Sequence, residues 1–163
     1  KPVIDGGTVT FGGQTYPSDG NAGVIVASSE LSRELTLDAS IQIRFLGFGL
    51  SRTELAFMPE APLHATHIAL NNAGIRVDDV DAIKTHNPFA LNDIVLAEEM
   101  GFDLYSMNNY GCSLVYGHPN APTGMRATIE LIEELAKKGG GIGLFVGCAA
   151  GDTAMSIVLR VDG

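Results

Sequence analysis

The segment NNYGCSLVYGHPNAPTGMR (residues 108–126) gathers glycine, proline, small polar residues and one histidine, His118, into a tight connection. An amphipathic helix is predicted directly after it, at 125–138, because apolar residues recur there at helical spacing and charged residues fill the other face. Pro122 suits the start of this helix, and Gly139 suits the position just past its end. We therefore expect His118 to lie in a loop that leads into a helix N-terminus. Unpaired backbone N–H groups at such a place attract anions and lower the proton affinity of an imidazole.

Outward from this segment, stretches typical of strands and helices alternate along the chain. The run 142–148 (IGLFVGC) is continuously apolar, which favours a buried strand, and 154–161 (AMSIVLRV) alternates in the way of an antiparallel strand. We therefore expect one α/β domain, residues 1–163, with three α/β/α layers and a mixed five-stranded sheet whose last strand is antiparallel. The other predicted strands are 23–27, 41–50 and 80–85; the other predicted helices are 28–35, 61–74 and 89–100; and 5–20 is predicted to be an irregular loop.

The composition is that of a globular protein, with 45% hydrophobic and 18% charged residues. The net charge of −9 and the lack of a basic stripe argue against nucleic acid as a partner. Two cysteines do not make a disulfide framework, and neither a signal peptide nor a long apolar span is visible. We therefore expect a cytoplasmic protein that does not associate with a membrane. The sequence begins at Lys1 rather than Met, which suggests a processed product or a fragment.

Three polar clusters stand where parallel sheets bind ligands, beyond the carboxyl ends of strands. His86 follows one predicted strand, Cys148 ends another, and His118 lies in the glycine-rich segment. A thiolate beside an imidazole can act as a nucleophile or move protons near neutral pH. A buried, inert cysteine is an equally weighted alternative for Cys148, and Cys112 is interpreted as a small packing residue.

A metal site is the other chemistry that the histidines could indicate. His64 and His67 stand three positions apart on the predicted helix 61–74, but no cysteine or carboxylate on that helix completes a set of ligands. We therefore expect no metal site. The chain also contains no Walker loop, and no Gly-x-Gly-x-x-Gly opens a helix after a strand.

The polar segments together resemble those of the thiolase family. Residues 108–126 resemble the thiolase segment Gly-Gly-x-x-x-x-Gly-His-Pro-x-Gly-Ala-Thr-Gly, and 86–90 (HNPFA) resemble the segment Asn-Glu-Ala-Phe-Ala. Cys148 and the residues that follow it are similar to the thiolase segment Cys-x-Gly-x-Gly near the end of the family's chains. The loop 7–20 resembles the start of the family's C-terminal half. Order and spacing agree over essentially the whole chain, so it resembles the C-terminal half of a thiolase and a thiolase-like fold is expected.

The resemblance implies an activity and roles for particular residues. Thiolases interconvert a 3-ketoacyl thioester plus coenzyme A with two shorter acyl thioesters, in a Claisen condensation or its reverse. A cysteine in the missing N-terminal half would carry the acyl group, and His118 would activate it. Cys148 would move the proton at the substrate α-carbon, and His86 would position a water in an oxyanion hole. The backbone N–H of Ala150, with Gly151 beside it, would help to hold the tetrahedral oxyanion.

The resemblance also implies substrates and partners. Thr15 aligns with a serine that contacts the pantetheine arm, and Phe89 and Asn120 are the other expected substrate-binding residues. Coenzyme A and acyl-CoA would be substrates, and no permanently bound cofactor is implied. The expected partners are the N-terminal half, fused upstream or held as a separate chain, and further copies in a homo-oligomer.

Several residues depart from the family pattern. His86 replaces the commoner Asn, as in the sterol-carrier type of thiolase. Ala121 and Pro122 replace Gly-Ala after Gly-His-Pro, which stiffens the loop that faces pantetheine. Ala150 and Asp152 stand where glycines are usual, so the preference for acyl chain length stays open.

Two other functions remain as alternatives. One is a non-catalytic thiolase-like scaffold or acyl-CoA-binding subunit, and the other is a free-standing thioesterase that uses Cys148 and His118. A thioesterase would release coenzyme A with this chain alone. A scaffold would stay inactive even beside a partner that bears the nucleophile.

Overall fold

The computed structural model describes residues 1–163. Every predicted helix is present, as are the strands expected at 41–50, 80–85, 142–148 and 154–161, with ends within two residues of those expected. A four-residue helix inside the glycine-rich segment was not expected. In chain order the elements are α1 (Ser29–Leu35), β1 (Gln42–Arg52), α2 (Ala61–Ala73), β2 (Ala82–His86), α3 (Ala90–Met100), α4 (Ser113–Tyr116), α5 (Thr123–Lys138), β3 (Gly140–Ala149) and β4 (Thr153–Asp162).

The strands form one mixed sheet in the order β1-β4-β3-β2. β2 runs parallel to β3, whereas β4 is antiparallel to both of its neighbours, β1 and β3. The prediction of a mixed sheet with an antiparallel last strand is therefore confirmed. The parallel pairing places the ends of β2 and β3 at the same edge of the sheet, with His86 opposite Gly147.

The prediction of five strands is wrong, because the sheet has four and the apolar run 23–27 forms no strand. Ile25 and Val26 are 80% and 75% exposed, and the run pairs with no other segment of the chain. A strand needs a neighbouring backbone to accept and donate its hydrogen bonds, which apolar composition alone cannot supply. The helix predicted directly after this run is present as α1. Ser28 caps it by accepting a hydrogen bond from the backbone N–H of Leu31 at 3.3 Å.

Helices cover both faces of the sheet, which gives the three expected layers. On one face, α2 and α3 pack on the sheet through a core that includes Leu70, Leu96, Leu144 and Val158. On the other face, α5 packs through a core that includes Leu131, Leu135, Phe145 and Leu159. No helix combines the length and apolar character needed to cross a bilayer.

Two glycines in β1 let the α2 backbone lie directly against the strand. A Cβ atom on Gly49 would sit 2.1 Å from the carbonyl oxygen of Ala65, and one on Gly47 would sit 2.7 Å from the amide nitrogen of Ala73. Glycine inside a strand often marks such a close approach of two backbones. Phe48 and Leu50 alternate with these glycines, so they point to the opposite face, where they are 58% and 61% exposed.

Candidate active site

Two histidine rings meet at the edge of the sheet where β2 and β3 end. His86 is the last residue of β2, and His118 lies in the loop between α4 and α5. The ring centroids are 4.2 Å apart and the ring planes differ by 26°, so the imidazoles are stacked. Cys148 directly follows Gly147, the β3 partner of His86. The fold thus brings the three polar clusters expected from the sequence to one edge of the sheet.

His86 is held by the short helix α4. Its Nδ1 lies 2.8 Å from Oγ of Ser113, the first residue of that helix. The pKa of His86 is lowered to about 4, mainly by burial and in smaller part by positive charge on His118 and Arg126. The imidazole is therefore neutral near neutral pH, and it can exchange hydrogen bonds without carrying a charge.

His118 is held by the start of α5. Its Nδ1 lies 2.8 Å from Oγ1 of Thr123, the first residue of that helix, and its backbone N–H donates to the carbonyl oxygen of Tyr16 at 2.7 Å. Desolvation lowers the pKa of His118. The expected position beside a helix N-terminus is therefore observed, although desolvation is the cause of the lowered pKa. With Nδ1 engaged, Nε2 is the ring nitrogen available to a reacting group.

Cys148 is buried near the end of β3, opposite Ala154 of β4. Burial raises the pKa of the Cys148 thiol to about 11, and the negative charge of Asp93 contributes in the same direction. The resting side chain is therefore a thiol, which does not suit a nucleophile that must be ionised before the substrate arrives. Cys112, the other free cysteine, is partly buried and precedes α4.

The turn that joins β3 to β4 lies beside Cys148. Ala150 and Gly151 are exposed there, and Gly151 and Asp152 adopt positive φ values of 81° and 56°. The carbonyl oxygen of Asp152 accepts a hydrogen bond from the backbone N–H of Thr53 at 2.9 Å, which ties the turn to the end of β1. The two residues expected at the oxyanion hole thus occupy an exposed turn next to the candidate acid–base cysteine.

The opening loop connects the segments that carry the two histidines. The backbone N–H of Thr15 donates to the carbonyl oxygen of Pro88 at 2.8 Å, and its hydroxyl donates to the carbonyl oxygen of Ser113. Pro17 forms an isolated parallel bridge with His118. The sequence pattern predicted an irregular loop at 5–20, and only the family resemblance marked Thr15 as part of the site.

The remaining expected substrate-binding residues border the same loops. Phe89 is partly buried just before α3, where it bridges to Gln14. Asn120 is exposed with φ of 61°, and its carbonyl oxygen accepts a hydrogen bond from the backbone N–H of Thr123 at 3.1 Å. Each of them follows one of the two histidines closely in sequence, and neither side chain is hydrogen-bonded to the pair.

Sequence reasoning missed the hydroxyls that hold the histidines. Ser113 and Thr123 lie 27 and 5 positions from their imidazole partners. For Thr123 a signal existed, because a threonine at the start of a predicted helix lies close in sequence to His118. For Ser113 the sequence offered no such signal, since its contact with His86 depends on the path of the chain.

Comparisons with known proteins point in one direction. A family model described as "Thiolase, C-terminal domain" matches residues 40–161. The 3-ketoacyl-CoA thiolase of Colwellia psychrerythraea is 33% identical over 181 residues, which cover 99% of this chain and 41% of that protein. The 3-ketoacyl-CoA thiolase of Pseudoalteromonas translucida is 34% identical over 179 residues, with 98% and 41% covered. The chain thus spans about 41% of the length of these curated relatives.

A solved structure agrees with the similarity in sequence. The acetyl-CoA acetyltransferase of Bacillus anthracis superimposes with a TM-score of 0.75 at 25% sequence identity. The superposition covers 82% of this chain and 34% of the Bacillus chain.

Proposed function

Because the chain belongs to the thiolase family, whose C-terminal domain it matches, we propose that it is one half of a thiolase-type acyltransferase. In this proposal the chain supplies the histidines and the acid–base cysteine, and an N-terminal half supplies the cysteine that carries the acyl group. The reaction is thiolytic cleavage of a 3-ketoacyl-CoA or the Claisen condensation of acyl-CoA. The observation that carries the proposal is the stacked pair of His86 and His118 beside Cys148.

The first step is acyl transfer to the partner's cysteine. His118 accepts the thiol proton at Nε2, because its Nδ1 is engaged by Thr123. The thiolate then attacks the thioester carbonyl, the carbon–sulfur bond to coenzyme A breaks, and the leaving coenzyme A takes the proton from His118. The lowered pKa of His118 keeps the imidazole neutral and ready to accept that proton.

The second step is proton transfer at the α-carbon of the acyl thioester. Thioester α-protons are weakly acidic, so the base must be strong. The raised pKa of Cys148 makes its thiolate a stronger base, although that thiolate has to form within the catalytic cycle. Backbone donors at Ala150 and Gly151, and a water held by His86, would stabilise the oxyanions. Loss of one such donor typically costs about 3–4 kcal/mol of barrier.

Substrate binding would involve the loops around the histidines. Thr15 joins the segments that carry the two imidazoles, and Phe89 and Asn120 flank them, so we assign these residues to the pantetheine arm. The chain carries a net charge of −9, so the coenzyme phosphates would be met by backbone donors or by the N-terminal half. No permanently bound cofactor enters this scheme, and the cytoplasm is the proposed location.

An uncovered apolar surface supports the proposed partner. The face of β1 opposite α2 exposes Phe45, Phe48 and Leu50, which are 49%, 58% and 61% exposed, and the run 23–27 is likewise uncovered. Contiguous apolar surface of this kind marks association sites. We propose that the N-terminal half covers this surface and that the assembled enzyme forms a homo-oligomer.

Binding to an N-terminal thiolase half tests the docking surface. Phe48→Glu is expected to weaken that binding at least tenfold, because a charge would be buried in the contact. Tyr105→Glu is the matched control, since Tyr105 is 92% exposed and lies outside β1. Equal binding by both variants in a titration followed by light scattering would contradict the proposed surface.

Activity measurements separate the proposed function from its alternatives. The chain alone is expected not to cleave acetoacetyl-CoA, whereas the chain with an N-terminal half should do so when coenzyme A is present. Cys148→Ser should abolish this turnover and Cys112→Ser should retain it. Turnover by the pure chain that depends on Cys148 would indicate a thioesterase. Inactivity of a verified complex of the two halves would indicate a scaffold or an acyl-CoA-binding subunit.

A further inference from the structure

The buried carboxylate of Asp93, in α3, is hydrogen-bonded to the segments that carry the histidines. It is 8% exposed and accepts three side-chain hydrogen bonds. The donors are the hydroxyl of Thr85 at 2.7 Å, the amide of Asn108 at 3.1 Å, and the amide of Asn87. Such a carboxylate is fully engaged on both oxygens, and removal of one partner from a buried network of this kind is costly.

The three donors come from the two segments that carry the histidines. Thr85 precedes His86 in β2, Asn87 follows it, and Asn108 opens the segment that leads to His118. Asn108 is bound to β2 as well, because its side-chain oxygen accepts from the backbone N–H of Thr85 at 2.8 Å. Asp93 therefore links the segments of both histidines through direct hydrogen bonds.

Asn108 adopts a backbone conformation that these bonds stabilise. Its φ of 55° lies in the left-handed region, which a residue other than glycine adopts at a cost of about 1 kcal/mol or more. Asparagine tolerates this region better than most residues do. The bonds to Thr85 and Asp93 hold the residue there, at the point where the glycine-rich segment leaves the core.

Asp93 also contributes a negative charge that affects Cys148. Its negative charge raises the pKa of that thiol, in addition to the effect of burial. The other elements packed around the thiol offer little charge: β4 places Ala154 opposite it, α2 packs Ala61 and Ala65 on that alanine, and β2 contributes the neutral His86. From α5, the charge of Arg126 acts on His86.

We propose that Asp93 is a positioning residue of this site, which holds the His86 and His118 segments together beside the end of β3 that carries Cys148. The catalytic role of Asp93 rests on the proposed function. The hydrogen bonds to Asp93 involve only residues of this chain and do not depend on that function. Asp93 has no reacting atom to touch, so it acts through Cys148 and the two histidines.

The pH dependence of cysteine alkylation tests the effect on Cys148. Iodoacetamide labelling is followed separately at each cysteine by peptide mass spectrometry. Asp93→Asn is expected to speed alkylation of Cys148 about tenfold at pH 8, because loss of a nearby negative charge favours the thiolate. Cys112 serves as the internal reference and should not change.

A matched variant separates charge from structure. Thr85→Val removes the hydroxyl that donates to Asp93 and accepts from Asn108 but keeps the carboxylate, so Cys148 should label at the wild-type rate. An unchanged Cys148 rate in folded Asp93→Asn, or an equal increase in Thr85→Val, overturns the charge role. If Asp93→Asn does not fold, hydrogen exchange in Asn108→Ala decides the linking role.

Hydrogen exchange tests the link between the segments. Asn108→Ala should increase exchange at least tenfold in peptides that cover 86–89 and 108–118, while β3 and β4 keep their protection. Faster exchange in only one of the two segments overturns the linking role. None of these readouts involves acyl transfer, so their failure is distinguishable from failure of the proposed function.

Discussion

The imidazoles of His86 and His118 are stacked with their centroids 4.2 Å apart, and each ring is anchored at Nδ1 by a hydroxyl. The hydroxyls belong to Ser113 and Thr123, the first residues of two successive helices. Like charges at this distance would repel strongly in a partly desolvated site, so the rings cannot both be protonated near neutral pH. The pair is therefore preorganised to accept or donate hydrogen bonds at neutral charge.

Protonation of His86 should destabilise the fold at low pH. The pKa of His86 is about 4 when folded, below the value of 6.5 expected for the unfolded chain, so the unfolded state binds more protons between these values. The free energy of unfolding should therefore fall as the pH drops from 6.5 to 4, by roughly 3 kcal/mol from this residue.

Urea unfolding at pH 7, 5.5 and 4 measures this loss. His86→Asn is the matched variant, because the amide does not titrate while the carboxylates of the chain are unchanged. The variant should lose less stability than the wild type over the same range. Parallel losses in both proteins would show that His86 does not titrate as described.

Loss of Glu130, the ion-pair partner of Lys84, should strongly lower the free energy of unfolding. The Lys84 side chain is fully buried, and its Nζ lies 3.1 Å from Oε2 of Glu130, although the alignment is not that of a hydrogen bond. Glu130→Gln removes the opposite charge from a buried ammonium, so a loss of about 3–5 kcal/mol in unfolding free energy is expected. Glu133→Gln on the exposed side of the same helix is the control and should change stability by less than about 0.5 kcal/mol. Similar values for the two variants in chemical denaturation would contradict the buried pair.

Gly49 should not tolerate a methyl group. In Gly49→Ala the new Cβ would lie 2.1 Å from the carbonyl oxygen of Ala65, and neither backbone can move without separating α2 from β1. We expect a loss of more than about 3 kcal/mol, or no folded protein. Gly23→Ala, where a Cβ meets nothing within 4 Å, should be nearly neutral in the same thermal unfolding assay. Equal melting temperatures for the two variants would disprove the close packing of α2 on β1.

The two proposed chemical roles predict opposite effects on acylation in the assembled enzyme. His118→Ala should slow acyl transfer to the partner's cysteine by about 100-fold or more, because the general base is lost. Cys148→Ala should leave that acylation largely intact and block formation or cleavage of the carbon–carbon bond. Mass spectrometry of the trapped acyl-enzyme distinguishes them. Normal acylation by His118→Ala with none by Cys148→Ala would mean that the two roles are reversed.

Local pattern and tertiary structure contributed differently to the site. The strand and helix periods placed His86, His118 and Cys148 beyond the ends of elements, and the parallel pairing of β2 and β3 brought these ends together. The hydrogen bonds that orient the rings were not foreseeable in the same way. Asp93 lies in the predicted helix 89–100, and nothing local indicated that the segments of both histidines would be joined to it.

The sequence alone determined four of the five helices, the four strands of the sheet, the order of these elements and the polar residues that end the strands. Hydrophobic periodicity and helix caps act between residues close in the chain, so they can be recognised without a fold. Only the tertiary structure decided that 23–27 has no strand partner, that the two imidazoles stack, and that Asp93 joins their segments. These features depend on contacts between residues that are distant in sequence. The free energy of such contacts depends on which backbone segments and which charged groups the folded chain brings together.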